Sequence, residues 1–141
     1  MTKILSPLVV CFVLANAVSG QATSLDSLPK TNIKWDSLFF DFEIVREGKF
    51  VEHSFKFTNA GPAPLAISNV KTSCGCTVSE WPKDTIPVGG MSAVKVKFNT
   101  KEKSGRQLKV ITVWANTNPP DTKLQLGGEI KPSKRKGKTK H

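Results

Sequence analysis

The chain alternates apolar and polar side chains over the stretch Val51-Glu52-His53-Ser54-Phe55-Lys56-Phe57-Thr58. Because successive side chains of a β-strand point to opposite faces, this period of two predicts a strand with one buried face and one solvent-exposed face. The next residues, Asn59-Ala60-Gly61-Pro62, have the composition of a turn. The stretch therefore indicates a β protein. It also places His53 on the apolar face, where we expect a packed core residue rather than a metal ligand.

Similar strand patterns lie on both sides of this run, and turn residues separate them. They cover residues 38–45, 65–70, 73–79, 94–98, 107–115 and 123–130, with a first strand signal at 33–35. No segment has a helical period. About seven short strands predict an all-β, immunoglobulin-like β-sandwich, with a small β-barrel as the alternative that periodicity does not exclude. In a sandwich of this size we expect Trp114 to lie in the core.

The charge of the chain is distributed unevenly. The formal net charge is +10, but the last eleven residues carry six basic and no acidic side chains, whereas residues 21–130 hold 14 basic and 11 acidic ones. The body therefore has an ordinary surface, and no specific nucleic-acid partner is expected. Residues 132–141 are predicted to be a basic disordered tail, because such a segment buries too little apolar surface to fold. A solvated tail is favoured, and contact with an anionic surface is the alternative.

The N-terminal segment has the layout of a secretory signal peptide. Lys3 precedes an apolar run that ends in small residues, and this run is too short to span a bilayer. Cleavage is predicted near Gly20-Gln21, with cleavage after Ala17 as the alternative, so Cys11 should leave with residues 1–20. We then expect a flexible lead-in over 21–35, one domain over 36–131, and a location in the periplasm or outside the cell.

Several short motifs occur in an order that points to one family. They are Phe40-Asp41-Phe42, Glu47-Gly48, the run 53–59, Pro64-Leu65, Ile67-Ser68-Asn69-Val70, Ser73-Cys74-Gly75-Cys76-Thr77 and Trp81-Pro82. With these motifs the chain resembles the bacterial family called domain of unknown function 1573. The resemblance implies an exported immunoglobulin-like domain with no established biochemical activity. One departure from the family pattern is Glu43, where the family usually has a glycine. It argues against a close approach of another group to the backbone at that position, but not against the fold.

Two cysteines, Cys74 and Cys76, are separated by a single residue. In an extended strand their Cα atoms would lie about 6.6 to 6.8 Å apart, at the upper limit of the roughly 4.4 to 6.8 Å found in disulfides. A bond between them therefore needs a local bend. We expect Gly75 to permit that bend because glycine adopts unusual backbone conformations, and we expect Trp81 to cover it.

Three roles of the cysteine pair are compatible with the sequence. An oxidising compartment favours a structural role, as a tight disulfide or as two buried thiols. A reduced pair could bind a soft ion such as Cu(I), with Met91 as a further thioether donor. A redox-active pair would exchange disulfides with a partner protein. A zinc site is not indicated, because it needs about four ligands and the sequence has no second pair of cysteines or histidines to complete it.

No catalytic pattern is present in the sequence. It has no glycine-rich phosphate loop, no nucleophile spaced with a histidine and an acid, and no paired carboxylates, so an enzyme is not predicted. The favoured function is a non-enzymatic protein-binding or structural module without a cofactor, whose partner is another protein of the cell envelope. The alternative is a periplasmic Cu(I)-binding or thiol-redox protein that uses Cys74 and Cys76, with copper as its cofactor.

Overall fold

The computed structural model describes residues 27–134, which form two four-stranded sheets packed face to face. The strands are β1 (Asn32–Trp35), β2 (Phe39–Arg46), β3 (Phe50–Gly61), β4 (Ile67–Thr72), β5 (Thr77–Glu80), β6 (Met91–Asn99), β7 (Gly105–Ala115) and β8 (Asp121–Lys131). The first sheet has the order β1-β3-β6-β5 and the second has the order β2-β8-β7-β4. The predicted sandwich is confirmed, with eight strands in place of about seven.

The sandwich begins earlier than the predicted boundary at residue 36. Strand β1 lies within the segment predicted as a flexible lead-in, and it pairs with β3 in antiparallel orientation. Its side chains Ile33 and Trp35 pack against the core, which explains why the segment is part of the domain. The predicted signal peptide, its cleavage site and residues 135–141 of the predicted tail lie outside the described residues. Within residues 27–134 no helix is long and apolar enough to cross a bilayer.

The alternation over residues 51–58 produces the buried face of β3. Val51, Phe55 and Phe57 are buried, the last two at 1% and 0% exposure. His53 lies between them on the same face, where its ring stacks on Phe40 of the opposite sheet at a centroid distance of 3.8 Å. Burial lowers the pKa of the His53 imidazole from its ordinary value, because the charged form would lose hydration. His53 is thus a packed aromatic residue between the sheets.

Strand β2 departs from the alternation that its sequence predicts. The pairing register with β8 shifts between Asp41 and Ile44, and Glu43 within this bulge has a φ of 57°. The Glu43 N–H donates a 2.7 Å hydrogen bond to the Asp41 carboxylate. Beyond the bulge the faces are exchanged, so Val45 packs against the core while Ile44 is 56% exposed. Uninterrupted alternation would have placed Ile44 on the buried face with Phe42, and the bulge prevents this.

Trp114 does not occupy the core position predicted for it. Strand β7 directs Ile111 and Val113 inward, so Trp114, one residue later, belongs to the outer face and is only half-buried. The tryptophans that pack against the core are Trp35 and Trp81. Strand β7 itself is central in its sheet, between β8 and β4, as its apolar character on both faces predicts.

The side chain of Asn59 forms a hydrogen-bonded centre at one end of the sandwich, and its residue is completely buried. Its carbonyl oxygen accepts hydrogen bonds from the Thr31 hydroxyl and the Gly61 N–H, both at 2.9 Å. Its amide group donates to the backbone carbonyls of Ala63 at 2.8 Å and Ile86 at 2.9 Å. Every polar atom of this side chain is therefore satisfied, by partners in the segment before β1, at the end of β3 itself, just after β3 and near Ile86.

A second buried amide, Asn116, follows β7 at the same end. Its oxygen accepts the Ala66 N–H at 2.8 Å, and its amide group donates to the carbonyls of Pro29 at 2.7 Å and Pro64 at 2.9 Å. Residues 63–66, which connect β3 to β4, are thus held by asparagines from both sheets. This end of the sandwich is fixed by polar contacts as well as by apolar packing.

We predict that Glu43→Gly stabilises the protein. A non-glycine residue in the left-handed region costs about 1 to 2 kcal/mol, and glycine lacks most of that cost. The expected net gain is about 1 kcal/mol in the free energy of unfolding, measured by urea denaturation. A matched control is Glu52→Gly in the extended strand β3, which should destabilise. A loss of stability in Glu43→Gly as large as in the control would contradict the strain assigned to Glu43.

We predict that Asn59→Ala strongly destabilises the domain. The change leaves buried carbonyl and N–H groups without partners, and each such group costs about 1 to 3 kcal/mol. A total loss of about 3 kcal/mol or more is expected in chemical denaturation. The exposed Asn69 of β4 is the control position, where alanine should change stability by less than about 0.5 kcal/mol. Equal effects of the two substitutions would show that Asn59 does not hold this end of the sandwich.

Candidate functional site

The cysteine pair lies in a turn that connects β4 to β5, where the chain passes from the second sheet to the first. We call residues 73–76 the cysteine turn. Its two cysteine side chains meet with their sulfur atoms in disulfide geometry, and their Cα atoms are 5.3 Å apart. This separation is shorter than the roughly 6.6 Å of an extended strand. The bend that the spacing requires is therefore present in the fold.

The faces of this segment differ from those predicted. Regular alternation over the predicted strand 73–79 would put Cys74, Cys76 and Val78 on one face, but β5 begins only at Thr77. Thr77 is 5% exposed and pairs with Phe98 of β6, whereas Val78 is 63% exposed. The turn places Thr77 inward because the strand alternation starts after the cysteines rather than before them. Cys76 nonetheless packs against the core.

Backbone hydrogen bonds hold the cysteine turn to both sheets. In the second sheet, Ser73 donates its N–H to the Val110 carbonyl at 2.9 Å, and its hydroxyl accepts the Val110 N–H at 3.1 Å. In the first sheet, the Cys76 carbonyl accepts the Asn99 N–H at 2.9 Å, at the end of β6. These contacts fix both ends of the turn without using either sulfur atom.

One threonine on each side of the turn, Thr72 and Thr77, adds further hydrogen bonds to it. The Thr72 hydroxyl lies 3.0 Å from the Cys74 carbonyl oxygen and 3.1 Å from that of Thr77. The Thr77 N–H donates to the Cys74 carbonyl at 3.3 Å, and the Thr77 hydroxyl oxygen lies 3.6 Å from the Cys74 sulfur. Sequence reasoning did not assign a role to either threonine. Their position in the sequence, one on each side of the Ser-Cys-Gly-Cys motif, was the feature that could have indicated this role.

Gly75 does not have the property expected of it. Its φ is not in the left-handed region, unlike that of the glycines at 48, 61, 89 and 105. A Cβ atom added at Gly75 would meet no other heavy atom within 4 Å, and the residue is exposed. The bend therefore does not need a glycine, and the expectation that Gly75 permits closure is wrong on both conformational and steric grounds.

Trp81 lies a few residues beyond the turn, half-buried and packed against the core. Its ring face contacts Lys83, whose ammonium nitrogen is 3.1 Å from the ring centroid, a cation–π arrangement. These contacts give Trp81 a packing role. Its predicted covering of the cysteine bend stays a prediction.

The geometry limits the copper hypothesis. Met91, the further donor considered, is at the start of β6, whereas the cysteine turn contacts Asn99 at the end of that strand. Eight residues of strand separate these ends by about 26 Å, so Met91 cannot join the pair in one site. Across residues 27–134, no group of three or more His, Cys, Asp or Glu side chains is arranged to hold a metal ion. A copper site would rest on the two sulfurs of Cys74 and Cys76 alone.

A second candidate site is an open groove on the outer face of the second sheet, with a volume of about 540 Å³. Three large apolar side chains line it, and about half of each is exposed: Phe39 at 47%, Ile44 at 56% and Leu108 at 56%. Its base is Gly127 of β8, which pairs with Leu108 and presents no side chain to solvent. The Phe39 ring lies 3.0 Å from the position that a Gly127 Cβ would take, so a larger residue would displace it.

The rim of this groove is mainly acidic. Asp41, Glu43 and Glu129 line it, together with Arg106, which is opposite Glu129 in the β7–β8 pairing. Sequence reasoning missed the groove because the bulge in β2 moves Ile44 to the outer face. The available signal was the Gly127-Gly128 pair inside a strand, since glycine there often marks a close approach of another group.

Comparison with known proteins gives one family and a set of similar folds. A family model described as a protein of unknown function, DUF1573, matches residues 33–130. A search of curated proteins finds no match.

Solved structures with a similar fold include the ASH/PapD-like domain 7 of human CEP192, with a TM-score of 0.61 and 11% identity over 86% of this chain and 97% of that one. A protein of unknown function from Porphyromonas gingivalis W83 gives a TM-score of 0.62 and 15% identity over 79% of this chain and 51% of that one. Such identities support the PapD-like and immunoglobulin-like sandwich fold alone.

We predict that Gly75→Ala does not prevent oxidation of the cysteine pair, because the φ of residue 75 and the space around it both accept a side chain. After treatment with diamide, the variant and the wild type should show equally few free thiols in denaturant. Cys76→Ser provides the reference for one unpaired thiol. Two free thiols per chain in Gly75→Ala would restore the requirement for glycine at this position.

Proposed function

The chain belongs to DUF1573, a family described as proteins of unknown function, and we propose that this member is an exported protein-binding module of the cell envelope. The observation that carries the proposal is the groove formed by Phe39, Ile44 and Leu108 over Gly127. Export is supported by the signal-peptide pattern of residues 1–20. We propose binding rather than catalysis for the groove, because it is open to solvent and does not exclude water from a reacting group.

The apolar surface of the groove is what a partner would bury. Large contiguous apolar patches are uncommon on the surface of monomeric soluble proteins, and they frequently mark interaction sites. Here the apolar side chains come from two strands that are separated by the side-chain-free position Gly127, so together they form a depression rather than isolated exposed residues. We expect one apolar side chain of a partner to pack against Phe39 and Leu108.

The charge of the rim defines the partner further. Three carboxylates face one guanidinium around the groove, which favours a partner with basic residues beside its apolar one. We therefore propose as occupant an extended protein segment in which apolar residues alternate with lysine or arginine.

The proposed mode is side-chain insertion rather than strand addition. Strand β2 is the edge of the second sheet among the described residues, but its bulge between Asp41 and Ile44 interrupts the row of backbone groups that an added strand would use. Bulges and inward or edge charges are common protections of sheet edges against such pairing. The groove beside this edge keeps its apolar side chains accessible while the edge itself is irregular.

Binding can be tested with twelve-residue peptides and the isotope-labelled protein. A peptide of alternating Leu and Lys should shift the amide NMR signals of Phe39, Leu108 and Gly127, because it matches both the apolar base and the acidic rim. Peptides of alternating Leu and Glu, or Ser and Lys, should bind at least about tenfold more weakly, since each lacks one of the two features.

Matched variants locate the binding surface. Leu108→Ser should weaken binding of the Leu/Lys peptide about 10-fold or more, because burial of a leucine is worth about 1.5 to 3 kcal/mol. Phe50 of the first sheet is a large apolar residue that is as exposed as Leu108, so Phe50→Ser is the control and should leave binding unchanged. Equal affinity of all three peptides, or equal effects of the two variants, would overturn the proposal. A concentration-dependent dimer that Leu108→Ser abolishes would instead assign the groove to self-association.

A further inference from the structure

We propose that Cys74 and Cys76 form a thiol–disulfide exchange site, in which Cys74 is the sulfur that reacts with the partner and the Thr77 hydroxyl stabilises its thiolate. The partner is a protein that carries a pair of thiols in the same compartment. The inference rests on the cysteine turn alone and is independent of the groove on the second sheet.

The two sulfurs differ in their surroundings. Both cysteines are half-buried at a corner of the sandwich, so the pair is accessible in a way that a core disulfide is not. In the described part of the chain, Cys76 but not Cys74 is among the half-buried side chains that pack against the core. An incoming thiolate therefore meets Cys74 first, and Cys76 is the sulfur that leaves into a packed position.

The Thr77 hydroxyl is placed to act on Cys74. Its oxygen lies 3.6 Å from the Cys74 sulfur, within hydrogen-bond range for sulfur. A disulfide sulfur carries no proton, so in the oxidised pair the hydroxyl must be the donor. The same hydrogen bond made to a thiolate stabilises the charged form. Thr77 is buried and its backbone is bonded to Cys74, so its hydroxyl stays in place during the reaction.

The fold does not depend on the bond between the sulfurs. The hydrogen bonds of Ser73 to β7 and of Cys76 to β6 use neither sulfur atom, so we expect them to hold both ends of the turn after reduction as well. A loop with one intervening residue constrains the unfolded chain little, so the bond contributes near the low end of the usual ~0 to 5 kcal/mol. Reduction should therefore leave the sandwich folded, which a repeating exchange reaction requires.

The reaction proceeds by two displacements at sulfur. A partner thiolate attacks the Cys74 sulfur, a new S–S bond forms, and the Cys74–Cys76 bond breaks with its electron pair on Cys76, which takes up a proton. The second partner thiolate then attacks the partner sulfur of this mixed disulfide and releases Cys74 as a thiolate beside Thr77, which then takes up the second proton. Overall the partner dithiol becomes a disulfide and loses two electrons and two protons, and the cysteine pair becomes a dithiol.

Glutathione is the probe for the exchange. Incubation of the oxidised, folded protein with reduced glutathione should open the pair while the circular dichroism of the sandwich is retained. In Cys76→Ser, oxidised glutathione should form a mixed disulfide at Cys74, identified by mass spectrometry. The reaction at Cys76 in Cys74→Ser should be slower by about tenfold, since that sulfur packs against the core.

The pH dependence of alkylation tests Thr77 as a positioning residue. In the reduced protein, iodoacetamide should modify Cys74 before Cys76, with a midpoint below the usual thiol pKa of about 8.5. Thr77→Val should raise this midpoint and slow alkylation at pH 7 about threefold or more. The control is Thr58→Val. Thr58 is a half-buried threonine of β3 that pairs with the end of β6 far from the cysteine turn, and its replacement should leave the midpoint and the alkylation rate unchanged. Thr77→Ser keeps the hydroxyl and should restore the low midpoint.

Three outcomes would overturn the inference. The first is a pair that glutathione reduces only after unfolding in denaturant, which would make it purely structural. The second is equal reactivity of the two cysteines, and the third is an unchanged midpoint in Thr77→Val. Leu108→Ser should not affect any of these measurements, so the result is separate from the test of the groove.

Discussion

The buried side-chain amide of Asn59 is the contact on which the arrangement of the two sheets most depends. It joins β3 to the segment before β1, to the β3–β4 connection and to the backbone near Ile86. Asn116 of the second sheet holds the same β3–β4 connection from the other side. Buried polar groups of this kind are costly when they are unpaired, so the fold must pair all of them. They therefore fix one arrangement of the connecting loops, which apolar packing alone would not determine.

The two ends of the sandwich are consequently different. The end that contains Asn59 and Asn116 is held by two buried side-chain amides, each of which bonds to several separate segments. At the opposite end, Thr100 is buried and bonds to the Lys49 carbonyl at 2.7 Å, and the cysteine turn crosses between the sheets on backbone hydrogen bonds. The chemically distinctive residues therefore lie away from the polar centre that fixes the loops, which lets a covalent bond in the turn change without disturbing that centre.

The sequence predicted what depends on local alternation and missed what depends on distant contacts. Residues 51–58 predicted β3 and its buried face, and the even spacing of strands predicted the sandwich. The bulge in β2 was not predicted, because a glutamate at position 43 does not itself indicate a positive φ, and the only sign was the glycine that the family usually has there. The groove follows from that bulge and from Gly127, some 85 residues further along. The role of Asn59 was hidden as well, since Asn-Ala-Gly-Pro reads locally as an ordinary turn.

The parallel pairing of β2 with β8 has a consequence for the order of folding. Phe39 pairs with Gln125, so this contact closes a loop that contains nearly the whole domain, whereas β7 and β8 are neighbours in sequence. Contacts between distant segments form late because the entropy of loop closure must first be offset. Strand β2 should therefore dock last and detach first in local fluctuations. Since β2 supplies Phe39 and Ile44, the apolar groove that they form with Leu108 exists only after the rest of the chain has folded.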